Sequence, residues 1–313
     1  MEVKESYAKF NYLLRPAKQV ERKVFLEAFH RMAEAGFPIS EYGYLGLGSV
    51  YFADFVLFYK YLLIEKMICA ELADIEDRMQ FNMPYPFITL VMGPVTDAIP
   101  RVDSDEPWIA WLDYDQPLND EMLGDIRSLV RRLHPGSILL VTVDAEPRIP
   151  DGIDYDTMTF RERRALAANE LQEALGKYRE TPIDAASIDK ASLPRVFAEV
   201  MSNVVRDSAL RRDGIVAQQL FNFKYADGAQ MLTVGWLVGE SSHVQRLDNS
   251  GFLDRPFINT DTEPRRIDVP PMPIREKLLL DQTEDLPFAV AAGVVENFAE
   301  NRRHYPIYFE TIT

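Results

Sequence analysis

The segment that most constrains this chain is residues 42–54, which read YGYLGLGSVYFAD. An apolar run leads into Gly46 and Gly48, and Ser49 precedes an aromatic-rich stretch. This order predicts a strand, a tight turn and a helix. Glycine lets a backbone bend and approach a ligand closely because it has no Cβ, and a following helix points free N–H groups towards that ligand. The turn therefore either binds a nucleotide-like cofactor or simply joins a strand to a helix.

Short apolar runs alternate with amphipathic segments through the first half of the chain. The runs predict strands at residues 66–71, 87–92, 108–112 and 138–143, and the segments predict helices at residues 52–63, 75–82 and 122–133. Strands that are apolar throughout and alternate with helices are typical of a parallel sheet buried on both faces. The sequence therefore predicts a doubly wound α/β fold.

The second half begins with two long helical patterns, at residues 160–178 and 193–208. Residues 217–239 then alternate in hydrophobicity on both sides of an Asp-Gly dipeptide at residues 227–228, which is typical of a hairpin turn. We expect an antiparallel hairpin to close the parallel sheet. The two helices form an insertion in the α/β domain at about residues 151–210.

The two ends of the chain differ from this core. Near the beginning, apolar residues at helical spacing predict a helix that ends at Gly36, so residues 1–41 form an N-terminal helical cap. Its front is basic, and it is either a solvated helix face or a lid that offers cations to an anionic ligand. These basic residues are Arg15, Lys18, Arg22 and Lys23. Residues 241–313 are rich in proline and charge, and they predict an extended strap followed by a helix near residues 284–302.

Composition narrows the class of protein. The 313 residues carry a formal net charge of −15, which repels nucleic-acid phosphates unless a local basic patch overrides it. The single cysteine, Cys69, lies in an apolar run and predicts a buried thiol, so neither a disulfide framework nor a cysteine zinc site is expected. The four histidines lack the spacing of metal ligands. Without a signal peptide or an apolar run of bilayer length, we expect a cytoplasmic protein with no membrane partner.

Acidic residues follow the predicted strands, and open α/β sheets bind their ligands beyond the carboxyl ends of the strands. Glu71 ends the second strand, where a carboxylate can accept both hydrogen bonds of a vicinal diol. Asp97 follows the third strand. Asp113, Tyr114 and Asp115 follow the fourth strand, where an acid can act as a general base, a Mg²⁺ ligand, a neighbour of a positive charge or a helix cap.

Each acid also has a purely structural interpretation. Glu71 can complement a helix N-terminus, Asp97 can cap a loop, and Ser49 can act as a helix N-cap. Asp144 and Glu146 follow the fifth strand at the same edge, where they can join a metal or substrate site. The residues alone leave these alternatives open.

In this order, the segments resemble the class I S-adenosylmethionine-dependent methyltransferases over about residues 42–240. The resemblance implies a Rossmann-like, mostly parallel seven-stranded sheet that ends in an antiparallel hairpin, with S-adenosylmethionine as the cofactor. It assigns to the cofactor Gly46, Gly48, Ser49, Glu71 at the ribose hydroxyls and Asp97 at the adenine. It places Asp113, Tyr114 and Asp115 beside the transferred methyl group. The chain is also similar to bacterial proteins described as O-methyltransferases.

The sequence departs from that family's pattern at the glycine turn. Residues 42–45 supply no acid, and Val50 stands where the third glycine would be. The amino group of S-adenosylmethionine would therefore need another anion or backbone carbonyls. The region after the fourth strand also resembles tRNA guanine N2-methyltransferases, with Tyr114 in the place of their proline.

Three functional hypotheses follow. The first is a methyltransferase that acts on an oxygen or nitrogen nucleophile of a small molecule or protein, with Asp113 or Asp115 taking the acceptor's proton. The second is a catalytically inactive methyltransferase-like binding module in a multiprotein bacterial system, and the third is an RNA or DNA methyltransferase. No residue is assigned to a metal, and a requirement for Mg²⁺ stays open. The insertion and the C-terminal extension are expected to shape the acceptor pocket, a homo-oligomer contact or a surface for a partner protein.

Overall fold

The computed structural model describes residues 15–72, 74–148 and 158–306. Its strands are β1 (Gly43–Leu47), β2 (Lys66–Glu71), β3 (Ile88–Met92), β4 (Trp108–Pro117), β5 (Ser137–Asp144), β6 (Ile215–Ala226), β7 (Gln230–Glu240) and β8 (Arg265–Ile267). They form one eight-stranded sheet in the order β3-β2-β1-β4-β5-β7-β6-β8. Strands β1 to β5 pair in parallel, so their carboxyl ends meet at one edge of the sheet.

The antiparallel hairpin lies where the sequence predicts it. Strand β7 pairs antiparallel with β5 and with β6, and Gly228 in the β6–β7 turn has a φ of 126°. The predicted Rossmann-like fold class is confirmed. The eighth strand, β8, pairs in parallel with β6 and was not predicted, because a strand of three residues is too short to show an alternating pattern.

Helices cover both faces of the sheet. They are α1 (Pro16–Glu34), α2 (Ala53–Leu62), α3 (Glu76–Asn82), α4 (Val95–Ala98), α5 (Asp120–Arg132), α6 (Phe160–Leu175), α7 (Leu193–Leu210), α8 (Ser241–Asn249), α9 (Ile274–Leu280) and α10 (Val294–Asn301). Apolar residues of α1, α2 and α8 pack in one hydrophobic cluster, and those of α5, α6 and α7 pack in another. Among the described residues, no helix combines the length and apolar character needed to cross a membrane.

The C-terminal prediction is partly wrong. A single helix was expected near residues 284–302. The helix found there, α10, is shorter, and a second helix, α9, precedes it. Prolines and charges dominate this tail, so its apolar periodicity is too sparse to fix helix bounds. Leu280, Phe298 and Tyr305 form a small separate core that holds the two helices together. The predicted insertion begins at about residue 151, and its first residues, 151–157, lie outside the described part of the chain.

Helix α1 is held across the carboxyl edge of the sheet by contacts from distant parts of the chain. The carboxylate of Asp227, in the β6–β7 turn, accepts hydrogen bonds from the backbone N–H groups of Ala17 (3.0 Å) and Lys18 (2.9 Å). These are free donors of the first helical turn, and an anion there also complements the helix dipole. Further along α1, Glu27 contacts His304 Nε2 at 2.8 Å. The helix is therefore fastened at its start by the hairpin and further along by the C-terminal extension.

Candidate active site

Gly46, which was expected in the turn, lies in β1, and Gly48 lies in the turn that follows it; neither has a positive φ. Close packing explains both glycines. A Cβ on Gly46 would lie 2.5 Å from the Tyr44 hydroxyl oxygen, and one on Gly48 would lie 2.9 Å from the sulfur of Cys69. The Gly48 N–H donates to Ala70 O on β2 at 2.6 Å, which brings the turn against the end of that strand. A side chain would displace Tyr44 if added at Gly46, and Cys69 if added at Gly48.

The turn ends in a strained residue. Phe52 is buried and has φ 45° and ψ 33°, a left-handed conformation that a bulky side chain rarely adopts. It precedes the first residue of α2 and makes no side-chain cap, so Ser49 is not the N-cap of that helix. The Ser49 hydroxyl instead accepts from the N–H of Tyr51 at 3.4 Å. Such strain persists only where the surrounding packing enforces it, and it clusters at functional sites.

Glu71 and Asp97 occupy the neighbouring strand ends. Glu71 is the last residue of β2, is half-buried, and its backbone carbonyl accepts from the Gly93 N–H at 2.8 Å. Asp97 is exposed in α4 and folds back on the preceding turn, where a Cβ on Gly93 would meet its carboxylate at 2.9 Å. Glu71 therefore lies beside the glycine turn, whereas Asp97 lies further out, after β3.

Asp113 lies in a buried ion cluster that Lys18 of α1 completes. Lys18 Nζ is 2.8 Å from Asp113 Oδ1 and 2.9 Å from Glu21 Oε2. It also lies 4.2 Å from the ring centroid of Trp111, a cation–π contact. The side chains of Lys18 and Glu21 are fully buried, and that of Asp113 is 20% exposed. Asp113 is therefore the member of this cluster that a ligand can reach.

The pKa values of this cluster follow from burial and charge. Burial alone would raise the pKa of Asp113, but the positive charges of Lys18, Arg15 and Arg22 outweigh it and hold that pKa below its ordinary value. Burial raises the pKa of Glu21, and the charge of Lys18 only partly opposes it. Asp113 is therefore a carboxylate at neutral pH, while Glu21 resists ionisation.

A second buried pair joins α1 to the start of α2. Arg22 Nε donates to Asp54 Oδ1 at 2.6 Å, and Arg22 Nη2 donates to Asp54 Oδ2 at 3.4 Å. The side chains are 3% and 14% exposed. Burial raises the pKa of Tyr44, and the nearby carboxylates of Asp54 and Asp113 raise it further. A carboxylate of each ion pair therefore lies near Tyr44, whose hydroxyl packs against Gly46.

Lys18 and Arg22 answer one question that the sequence left open. The prediction that they lie on a solvated helix face is wrong, since both are buried. Burying a charge is strongly unfavourable unless it is paired, and their partners lie 95 and 32 residues away in the chain. A local sequence pattern does not contain that information. The signal available was the position of two cations, at i and i+4, inside a helix whose neighbouring residues are apolar.

The prediction that Asp113, Tyr114 and Asp115 follow the fourth strand is wrong, because β4 continues through them to Pro117. Tyr114 and Asp115 lie in different surroundings. The Tyr114 hydroxyl donates to Asp125 Oδ2 of α5 at 2.8 Å, and Tyr114 packs against the hydrophobic cluster on that face. Burial raises the pKa of Tyr114, as does the adjacent carboxylate. Asp115 is exposed, and Gln116 Nε2 lies 3.4 Å from its carboxylate. The structure therefore gives the three neighbours different environments rather than one shared cluster.

Asp144 and Glu146 fasten the loop that follows β5. Asp144 Oδ1 accepts from the Glu146 N–H at 2.7 Å and also contacts Arg148. Glu146 contacts Lys190 at 2.6 Å and accepts from the N–H of Gln230 at 3.1 Å. Within residues 15–72, 74–148 and 158–306, no group of histidine, cysteine, aspartate and glutamate side chains has an arrangement that could hold a metal ion.

Known proteins provide an independent comparison. The sequence model of the family described as "Putative O-methyltransferase" matches residues 10–313. A comparison with curated proteins gave no match. The chain is similar in structure to the N-methyltransferase NodS from Bradyrhizobium japonicum WM9, at 9% identity, over 70% of this chain and 98% of NodS, with a TM-score of 0.36.

Two other solved structures show similarity at the same level. The O-methyltransferase TomG from Streptomyces achromogenes, in complex with SAM, is 11% identical over 68% of this chain and 80% of TomG, with a TM-score of 0.36. LepI, also in complex with SAM, is 12% identical over 63% of this chain, with a TM-score of 0.34, and the chain spans only 43% of the length of LepI. The family match covers nearly the whole sequence, and the chain belongs to the family described as "Putative O-methyltransferase".

Proposed function

We propose that this chain transfers a methyl group from S-adenosylmethionine to an oxygen or nitrogen nucleophile of a small molecule or protein. The observation that supports it best is that the glycine turn and Glu71, at the carboxyl ends of β1 and β2, lie on the same side of the sheet as the carboxyl half of β4, which contains Asp113. In a chain that belongs to this family, that edge is where an open α/β sheet binds its ligand. The net charge of −15 disfavours the nucleic-acid alternative.

The residues present fit the cofactor. Gly48 and Ser49 in the turn are only partly buried, and the Glu71 carboxylate can accept both hydrogen bonds of the ribose diol. Gly46, Gly48 and Ser49 would line the amino-acid end, and Asp97 stays the proposed partner of the adenine. When bound, the cofactor supplies an electrophilic methyl group on a positively charged sulfur.

Asp113 orients the acceptor in this proposal. Because the buried cation Lys18 holds the pKa of Asp113 low, its carboxylate accepts a hydrogen bond at neutral pH but is a weak general base. Asp115 is exposed and stays the proposed proton acceptor, and Tyr114 lines the wall between Asp113 and α5. We also propose that the insertion that contains α6 and α7, together with the C-terminal extension, shapes the acceptor pocket or a contact with a partner protein.

Calorimetric titration with S-adenosylmethionine and S-adenosylhomocysteine tests this function. We expect the wild-type protein to bind both, and Glu71→Ala to weaken binding about 10- to 100-fold, since it removes hydrogen bonds to a charged acceptor. Glu65→Ala is the matched control, because Glu65 is exposed just before β2, at the opposite end of that strand. Absence of binding to the wild-type protein at high ligand concentration would overturn the proposal and favour the inactive binding module.

A further inference from the structure

The guanidinium of Arg22 is only half satisfied. Its Nε and Nη2 groups donate to Asp54, but Nη1 is buried and has no hydrogen-bond partner among the described residues. Buried polar groups in proteins almost always have a partner, and each exception needs an explanation. A guanidinium with one free edge is suited to a planar carboxylate, because its N–H donors match the spacing of two oxygens.

The position of this free edge is informative. Arg22 and Lys18 lie four residues apart on one face of α1, which separates them by about 6 Å along the helix axis. Lys18 contacts Asp113 in β4. Arg22 contacts Asp54 in the first turn of α2, just after the glycine turn. Helix α1 therefore reaches from the place of methyl transfer to the start of the helix that follows the turn.

The chemistry of the ligand follows from two missing interactions, a hydrogen-bond acceptor for Arg22 Nη1 and an acid in the glycine turn. Residues 42–49, the end of β1 and its turn, contain no acidic side chain that could bind an ammonium group. Asp54 is the nearest acid after the turn; its side chain is 14% exposed, and its carboxylate can accept more hydrogen bonds than the two from Arg22. A free guanidinium edge beside a partly exposed carboxylate is complementary to an α-amino acid, whose carboxylate and ammonium group are adjacent.

We propose that Arg22 and Asp54 bind the amino-acid end of S-adenosylmethionine, Arg22 through Nη1 to the carboxylate and Asp54 to the ammonium group. This inference rests on the proposed function, since it assigns one end of that cofactor. It gives the N-terminal helix a role in binding the cofactor and supplies the acid that the glycine turn lacks.

Two ligands that differ only at this end test the assignment. S-adenosylhomocysteine carries the amino acid, whereas 5′-methylthioadenosine keeps the nucleoside and the thioether without it. Calorimetry with the full chain measures the ratio of the two affinities for the wild-type protein, Arg22→Gln and Asp54→Asn. We expect each substitution to weaken S-adenosylhomocysteine about 10- to 100-fold, with a change in 5′-methylthioadenosine of less than about threefold.

The ratio separates binding from folding, because a smaller folded fraction weakens both ligands equally. Asp54→Asn keeps the shape of the side chain, so it covers the case in which Arg22→Gln does not fold. Arg31→Gln is the control on the same helix, since Arg31 pairs with the exposed Glu34 and should leave the ratio unchanged. An unchanged ratio in both test variants would overturn this assignment while the cofactor itself still binds. Failure of the wild-type protein to bind either ligand would instead overturn the proposed function, and this inference with it.

Discussion

Two aspartates that follow buried runs in neighbouring strands show how differently the same sequence feature can be used. Asp113 and Asp144 both follow a buried run, in β4 and β5, at the same edge of the sheet. Asp113 is paired with the fully buried Lys18 and is itself 20% exposed. Asp144 is 2% exposed, and its charged partner, Arg148, is 52% exposed. In one pair the cation is buried, and in the other the acid is.

The pKa values of the two acids move in opposite directions for this reason. Burial acts to raise the pKa of both. At Asp113 the charge of buried Lys18 outweighs burial, and the pKa falls. At Asp144 burial prevails over the backbone hydrogen bond from Glu146 and the charge of Arg148, and the pKa rises. Water screens an exposed cation, so the burial of the partner, rather than the position of the acid on its strand, decides in which direction the pKa of the acid moves.

The largest expected effect comes from removing the buried cation. Lys18→Met keeps most of the apolar stem but leaves the carboxyl groups of Asp113 and Glu21 without their partner. We expect the free energy of unfolding, measured by urea titration, to fall by about 3–5 kcal/mol, as when one member of a buried ion pair is removed. Lys190→Met, at an exposed partner of Glu146, should change it by less than about 1 kcal/mol. Equal losses of stability in Lys18→Met and Lys190→Met would contradict the conclusion that the buried cation contributes more than the exposed one.

An intermediate effect is expected in the pH dependence of stability. The unfolded pKa of aspartate is about 3.9. Since the folded pKa of Asp113 is lower, its stabilising contribution is present above about pH 3.9 and is lost as the pH falls through the folded value. Since the folded pKa of Asp144 is higher, its contribution is present below about pH 3.9 and is lost as the pH rises through the folded value.

Asp113→Asn and Asp144→Asn should therefore produce changes of opposite sign. The unfolding free energy of the wild-type protein, minus that of the variant, should increase with pH for Asp113→Asn and decrease for Asp144→Asn. Each slope can reach about 1.4 kcal/mol per pH unit. Urea titrations between about pH 3 and 7 measure both, and a Glu21→Gln background keeps the titration of Glu21 out of the comparison. Slopes of the same sign would show that the Lys18 charge does not control Asp113.

The smallest effect is expected at the exposed cation. Arg148→Ala removes the charged partner of Asp144 but leaves the hydrogen bond from the Glu146 N–H in place. Exposed ion pairs contribute little, so the unfolding free energy should fall by less than about 1 kcal/mol. Thermal or urea unfolding measures this change, with Arg161→Ala as a control at an exposed arginine. A loss comparable with that of Lys18→Met would mean that Asp144 depends on its cation as strongly as Asp113 does.

Local patterns were sufficient to predict most of the fold. Five apolar runs became the five parallel strands, and the Asp-Gly dipeptide became the β6–β7 turn. The prediction that Glu71 ends the second strand is confirmed at the residue level. These features depend on a few neighbouring residues, so periodicity and turn chemistry reveal them. The assignment of individual residues to the cofactor and the methyl acceptor stays a prediction.

The buried cations show where sequence reasoning stops. The basic front of α1 was visible, but its burial depends on Asp113, Asp54 and Asp227, which different strands and turns bring together. Charged residues are rarely buried without partners, and no local pattern states that partners 32 to 209 residues away will be present. Two elements were missed for a different reason. Strand β8 is too short to show an alternating pattern, and the prolines and charges of the C-terminal tail leave too few apolar residues to indicate α9.

The capping of α1 by Asp227 has a consequence for the order of folding. The helix leaves the ribosome before its cap, which is synthesised 210 residues later. Contacts of such long sequence separation form slowly because a large loop must close first. During synthesis, we expect the side chains of Lys18 and Arg22 to stay exposed to solvent until the β6–β7 hairpin has joined the sheet. A nascent chain would therefore complete this edge of the sheet late, after most of the parallel strands are in place.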